Sequence, residues 1–176
     1  MQRGTKKLRA IGFKNDIGSG VICQYQIQGI IVDFMPTDPN SIGFSNIWYP
    51  EGFKNAISHK IDKDCSVNIF SLPYFIATKW KAFKGRRHDY RTSTDFEDIV
   101  FLFENVSDID SKLKSSPDNL LTYLRTEFSN ILDTHAFEEG LTAHLSRENP
   151  DVDENKIINL LRNALSIAPP FRGYTR

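Results

Sequence analysis

Lys79 and Arg86, two cations seven residues apart, and Asp95 and Asp98, two carboxylates three residues apart, are the side chains here whose types and spacing suggest chemistry. A cation fixed against an acid is held in place, either within an ion-pair network or facing a ligand. Arg87 and His88 extend this basic stretch. A third acidic position, Asp33, stands alone among apolar residues.

The elements that must position the first four residues lie between Ser71 and Phe103. Ser71 suits an N-cap, with Leu72 and Pro73 in the first turn, where the missing proline N–H costs nothing. The helix is predicted to run to about Lys84 and to stop at Gly85. Phe75, Ile76, Lys79, Ala82, Phe83 and Arg86 fall at helical spacing, which puts two cations on or beside an apolar face. Thr94-Asp95-Phe96-Glu97 has capping-box spacing and predicts the start of a second helix, with Phe96, Ile99, Val100 and Phe103 as its buried stripe. A short turn returning the second helix along the first brings Lys79 and Arg86 near Asp95 and Asp98. On spacing alone, an ion-pair network that pins two helices together explains these residues as well as a ligand site does.

Asp33 sits in a predicted hairpin, Val21 to Ile27 and Ile30 to Phe34, joined by Gln28-Gly29. Alternation puts Ile30, Val32 and Phe34 on one face and Ile31, Asp33 and Met35 on the other. A carboxylate flanked by apolar neighbours is expensive to bury unless a cation meets it. An edge-strand aspartate reaching water is the simpler reading.

The pattern Ala77-Thr78-Lys79, Ala82-Phe83, Arg86, then Asp95-Phe96 and Asp98-Ile99 resembles the late motif of the AbiEii/AbiGii-type nucleotidyltransferases. These are relatives of the minimal nucleotidyltransferases in the DNA polymerase β-like superfamily. The likeness continues through Asp33-Phe-Met-Pro-Thr-Asp38 and Gly43-Phe-Ser-Asn-Ile-Trp-Tyr49, and spans roughly residues 8 to 145. It implies transfer of a nucleoside monophosphate from an NTP to an RNA or protein hydroxyl, in a toxin-like setting with an antitoxin-like partner. It implies catalytic roles for Asp33, Lys79 and Asp95, with Asp33 as a Mg²⁺ ligand. Lys79, Arg86 and Arg87 become the nucleotide-binding cations, and Asp95 and Asp98 orient the lysine or bind the acceptor.

One feature of that family is missing. Its members carry a Gly-Gly or Gly-Ser turn and an Asp-x-Asp pair before the strand of the third carboxylate. Asp16-Ile-Gly-Ser-Gly20 places no second acid two residues from Asp16. The resemblance therefore implies a chain that begins inside the family's domain. A lone carboxylate does not hold two Mg²⁺ ions, which need several oxygen ligands. The alternative function is a non-catalytic remnant of the same fold that binds a nucleotide, RNA or a partner protein.

Composition narrows the rest. The chain has 176 residues, 40% of them hydrophobic and 25% charged, enough for a sizeable core. Its 22 basic and 22 acidic residues cancel, so a polyanion site must be a local patch, with Lys84 to Arg91 as the candidate. No apolar run approaches the roughly 20 residues of a membrane span, and the start lacks a signal-peptide core, so a cytoplasmic location is expected. Cys23 and Cys65 read as reduced core thiols. The four histidines show no zinc-ligand spacing.

Thr37 to Gly52 reads as a long loop carrying Phe44, Trp48 and Tyr49. Ile57 to Ile61 and Cys65 to Phe70 read as a second strand pair, with Cys65, Val67 and Ile69 on one face. Helical periodicity covers Pro117 to Asp133, Ala136 to Leu145 and Glu154 to Ile167. The predicted fold is α+β: a nucleotidyltransferase-like region over residues 1–105, built on one small mixed sheet, followed by a helical subdomain over residues 106–176.

Overall fold

A computed structural model describes residues 2–15, 20, 23–35, 46–86, 89–147, 149 and 151–169. The chain divides into two compact units, Met1–Tyr49 and Pro50–Arg176. The class is α+β. Among the described residues there are eight α-helices and two antiparallel sheets.

In the first unit, α1 (Gln2–Ala10) is followed by β1 (Lys14–Asn15), β2 (Gln24–Ile27) and β3 (Ile30–Asp33), hydrogen-bonded in the order β1-β2-β3. Gly12, at φ +99, lets the chain leave α1 in a conformation that a side chain would oppose. The β2–β3 turn has φ of 49 at Gln28 and 84 at Gly29, as a two-residue hairpin turn of the right twist requires. Tyr25 pairs with Val32 and Ile27 with Ile30. The Phe13 and Tyr25 rings meet Phe34 edge-on at 5.1 and 5.4 Å.

The second unit begins within α2 (Tyr49–Lys54) and continues with a hairpin, β4 (Ile57–Lys60) and β5 (Ser66–Ile69). Asp62 closes its turn by accepting from the Asp64 and Cys65 N–H groups, both at 2.8 Å. There follow α3 (Leu72–Arg86), a 3₁₀ turn (Tyr90–Thr92), α4 (Thr94–Asn105), α5 (Ile109–Lys114), α6 (Asp118–Ser129), α7 (His135–His144) and α8 (Glu154–Leu165). α3 is the central helix and packs on α4, α5 and α6, while α8 packs on α5, α6 and α7. Trp80, Phe96, Phe128 and Phe137 are the largest fully buried side chains. Their rings lie 5.0 to 6.3 Å apart in the chain Trp80–Phe128–Phe137–Phe96, one aromatic seam under four helices. Residue 105, the expected domain border, falls inside this unit.

Several expectations are corrected. The two hairpins form separate antiparallel sheets instead of one mixed sheet. Tyr49 to Gly52 is helical, because Pro50 in a first turn starts a helix as readily as it shapes a loop. Gly85 lies within α3, which runs on to Arg86. The cap of α4 is Ser93, whose hydroxyl accepts from the Phe96 N–H at 3.3 Å; Thr94 is already helical. Cys65 is exposed, since the face it shares with Ile57, Val67 and Ile69 is open to solvent, whereas Cys23 is buried. Trp48 is buried, and residues 36–45 of the expected loop, with Phe44, lie outside the described residues. The short helix α5 is announced by no periodicity in the sequence.

Candidate functional site

Lys79 and Arg86 are two turns apart on α3, so they lie along one side of it. Asp95 occupies the first turn of α4, where unpaired N–H groups and the helix dipole favour a negative charge. Asp98 is one turn further on. Because α3 packs on α4 after a short connection, all four side chains come together. Arg86 Nη1 donates to Asp95 Oδ2 at 2.6 Å, and Lys79 Nζ lies 3.5 Å from Asp95 Oδ1 and 2.5 Å from Asp98 Oδ2.

The burial of these four side chains is graded. Asp95 is only 5% exposed, Lys79 30%, Asp98 46% and Arg86 58%. A carboxylate so nearly buried is tolerable because two cations meet it, and it in turn fixes where those cations stand. The Lys79 ammonium also lies 5.7 Å from the Phe75 ring centroid, which limits how far its stem swings. The arrangement is therefore a buried anionic anchor, two cations extending from it toward solvent, and a second, exposed carboxylate on the lysine.

The floor beneath this cluster is tightly packed. Phe96, next to Asp95, and Tyr90 press on Gly140 of α7, so closely that a Cβ there would stand 2.5 Å from Tyr90 Cβ and 2.9 Å from Phe96 Cε1. His144 Nε2 is 2.8 Å from the Tyr90 carbonyl oxygen and ties the C-terminal end of α7 to the same turn.

The remaining candidates are Arg87, with His88 beside it in sequence, and Asp33. Arg87 and His88 lie outside the described residues. Asp33 is on β3 in the first unit, exposed, and accepts from Gln24 Nε2 at 3.3 Å. Ile31, on the same face, is exposed too, so this carboxylate reaches water. Among the described residues, no group of three or more His, Cys, Asp or Glu side chains is placed to hold a metal ion. A single exposed carboxylate does not fit a pair of Mg²⁺ ions.

A second polar cluster went unseen in the sequence. Glu127 of α6 accepts from the Trp80 indole at 2.9 Å and from Lys84 Nζ at 2.5 Å. Burial raises the Glu127 pKa, but the hydrogen bonds from Lys84 and Trp80 and the charges of Lys84 and Lys81 outweigh it. The carboxyl is held below its ordinary value of 4.5. The clue lay in Lys84, one turn after Trp80, but its partner is 47 residues from that tryptophan.

Two smaller groups complete the polar framework. The Tyr74 hydroxyl donates to Glu51 and accepts from Asn55, and Asn119 donates to the same carboxylate. Burial, with that hydrogen bond and the Glu51 charge, pushes the Tyr74 pKa up. Asp89 opens the 3₁₀ turn by accepting from the Arg91 backbone and side chain, and its carboxyl falls to about 2 through the Arg91 hydrogen bonds. No described helix is long and apolar enough to cross a membrane. Comparison with known proteins matches no family model, no curated protein and no solved structure.

Proposed function

We propose that this chain is a nucleotidyltransferase-type protein whose α3–α4 cluster meets the phosphates of a nucleoside triphosphate. The observation that carries the reading is Asp95, nearly buried at the start of α4 and holding both Lys79 and Arg86 at a partly exposed edge. Preset cations meet phosphate oxygens without the cost of gathering them. In this reading Lys79 and Arg86 bind phosphate and Asp95 positions them. Arg87, next in sequence, adds charge. Because Asp33 alone does not fit a pair of Mg²⁺ ions, the proposal stops at nucleotide binding. Transfer of a nucleoside monophosphate to an RNA or protein hydroxyl requires carboxylates beyond Asp33, and an antitoxin-like partner belongs to that fuller, toxin-like activity.

A second reading has a specific observation behind it. The cluster pairs two cations with two carboxylates and so closes without net charge, as an inter-helix pin would. Calorimetric titration with ATP, with and without Mg²⁺ and at low and moderate salt, separates the two. The nucleotide-site reading predicts weak binding that falls as screening shortens to roughly 8–10 Å, with little help from Mg²⁺. Absence of binding at low salt, together with a large fall in melting temperature for Lys79→Ala, establishes the pin instead.

A further inference from the structure

Resting on the phosphate-site reading above, we infer that Asp98 is a resident counter-ion, occupying the place on Lys79 that a nucleotide phosphate oxygen takes. The two carboxylates of the cluster are not equivalent. Asp95 is 5% exposed, sits in the first turn of α4 and is shared by Arg86 at 2.6 Å and Lys79 at 3.5 Å. Displacing it would strand a charge out of water. Asp98 is 46% exposed and, among the described residues, is paired with Lys79 alone, at 2.5 Å. Turning it into solvent removes one exposed ion pair and leaves no buried group unpaired.

The distances point the same way. Lys79 Nζ is an ångström closer to Asp98 than to Asp95, so its shortest bond goes to the replaceable partner. A carboxylate oxygen and a phosphate oxygen make the same kind of bond to an ammonium. With Asp98 in place the four side chains sum to zero charge; with Asp98 turned away they sum to plus one. An anion that arrives while Asp98 holds Lys79 meets a neutral cluster and a like charge well inside one screening length. Asp98 therefore weakens phosphate binding, and it keeps Lys79 ordered when no ligand is present. It is a positioning residue that competes with the ligand.

The sign of this effect is unusual, because removal of a residue beside a site strengthens binding. Asp98→Asn keeps the shape and removes the charge, and is expected to raise ATP affinity by about three- to tenfold at low salt, the worth of one exposed pair plus one relieved repulsion. The gain should shrink as salt rises. Asp98→Glu, which keeps the charge, should bind as the wild type does. Calorimetric titration of ATP and of pyrophosphate into the three full chains reads both effects. Tighter binding by Asp98→Asn with a steeper salt dependence supports the inference. Unchanged or weaker binding by Asp98→Asn, with the wild type binding normally, overturns it and leaves the phosphate site standing. Failure of the wild type and of Asp98→Asn alike to bind either ligand overturns the inference and the phosphate-site reading together.

Discussion

α3 carries two polar clusters, one toward α4 and one toward α6, and they are built differently. Toward α6, a single carboxylate, Glu127, takes one cation and one indole, Lys84 and Trp80. Every member has its partner and no charge is left to spare. Toward α4, the buried Asp95 takes two cations, and the balance is restored only by the exposed Asp98. A helix pin needs a satisfied carboxylate, which both clusters have. A ligand site needs a charge that can be freed at small cost, and the α4 side alone has an exposed carboxylate whose departure frees one.

The comparison can be broken most severely from below. Gly140→Ala places a methyl group 2.5 Å from Tyr90 Cβ and 2.9 Å from Phe96 Cε1. Both contacts are with stiff, packed aromatics, so a loss of about 2–3 kcal/mol of unfolding free energy in urea is expected, the upper part of the range for overpacking. The damage should centre on the α4 side, with amide shifts at Asp95 and its neighbours larger than those around Glu127. Equal shifts in both places would mean that the clusters share one floor.

Next in size is the anchor itself. Asp95→Ala leaves Arg86 and Lys79 without their shared acceptor and is expected to cost about 1–3 kcal/mol, less than a fully buried pair because both cations reach water. Thermal denaturation should show the loss easing as salt screens the two stranded cations. A loss that ignores salt would assign the effect to packing alone.

On the other side, Glu127→Gln should cost about 0.5–1.5 kcal/mol, since the amide oxygen still accepts from Trp80 while the charge facing Lys84 is gone. Its signature is in pH. The folded pKa of Glu127 lies below its ordinary value of 4.5. The stability it adds is therefore complete above that value and is lost as pH falls through the folded pKa. Acid titration of the unfolding free energy should show this loss in the wild type and not in the variant. The same loss in both would mean that the depression of Glu127 contributes nothing to folding.

The smallest effect lies outside both clusters and sets their scale. Ser166 follows α8 at φ 54, and its N–H bonds back to the Arg162 carbonyl. Glycine is freer there, so Ser166→Gly should gain about 0.5–1 kcal/mol, read as a rise in melting temperature. A decrease would show that the serine hydroxyl holds the cap.

How much of this could be read from the sequence depended on how local the cause was. The α4 stripe of Phe96, Ile99, Val100 and Phe103 was legible because α4 buries one side, and a single stripe at 3.6 spacing reports that directly. α3 was not, since it is covered by α4, α5 and α6 together. Burial of Tyr74, Ile76, Ala77, Trp80 and Phe83 takes up about half of its circumference and is turned away from the expected stripe, whose Phe75 and Ala82 are only half-buried. Its end was misplaced because Gly85 tolerates helical φ as well as positive φ.

The hairpin of β4 and β5 was legible from its turn residues. Its uncovered apolar face was not, because alternation reports which residues share a face but not whether anything packs on it. Proximity of Lys79 and Arg86 to Asp95 and Asp98 followed from a short turn between two helices. The unequal burial of the two aspartates, on which the chemistry turns, depends on α4's seat against the rest of the unit, and spacing does not carry that information.

The central claim is that the cations facing α4 meet nucleotide phosphate and those facing α6 do not. Paired titrations of ATP into Lys79→Gln and Lys84→Gln at low salt test it most directly. Each variant loses one lysine charge from the same helix, two turns or fewer apart, so global charge and steering change equally. The account predicts about three- to tenfold weaker binding for Lys79→Gln, the loss of one charge-assisted phosphate contact, and binding close to wild type for Lys84→Gln. Equal losses in the two, or a larger loss in Lys84→Gln, would contradict it.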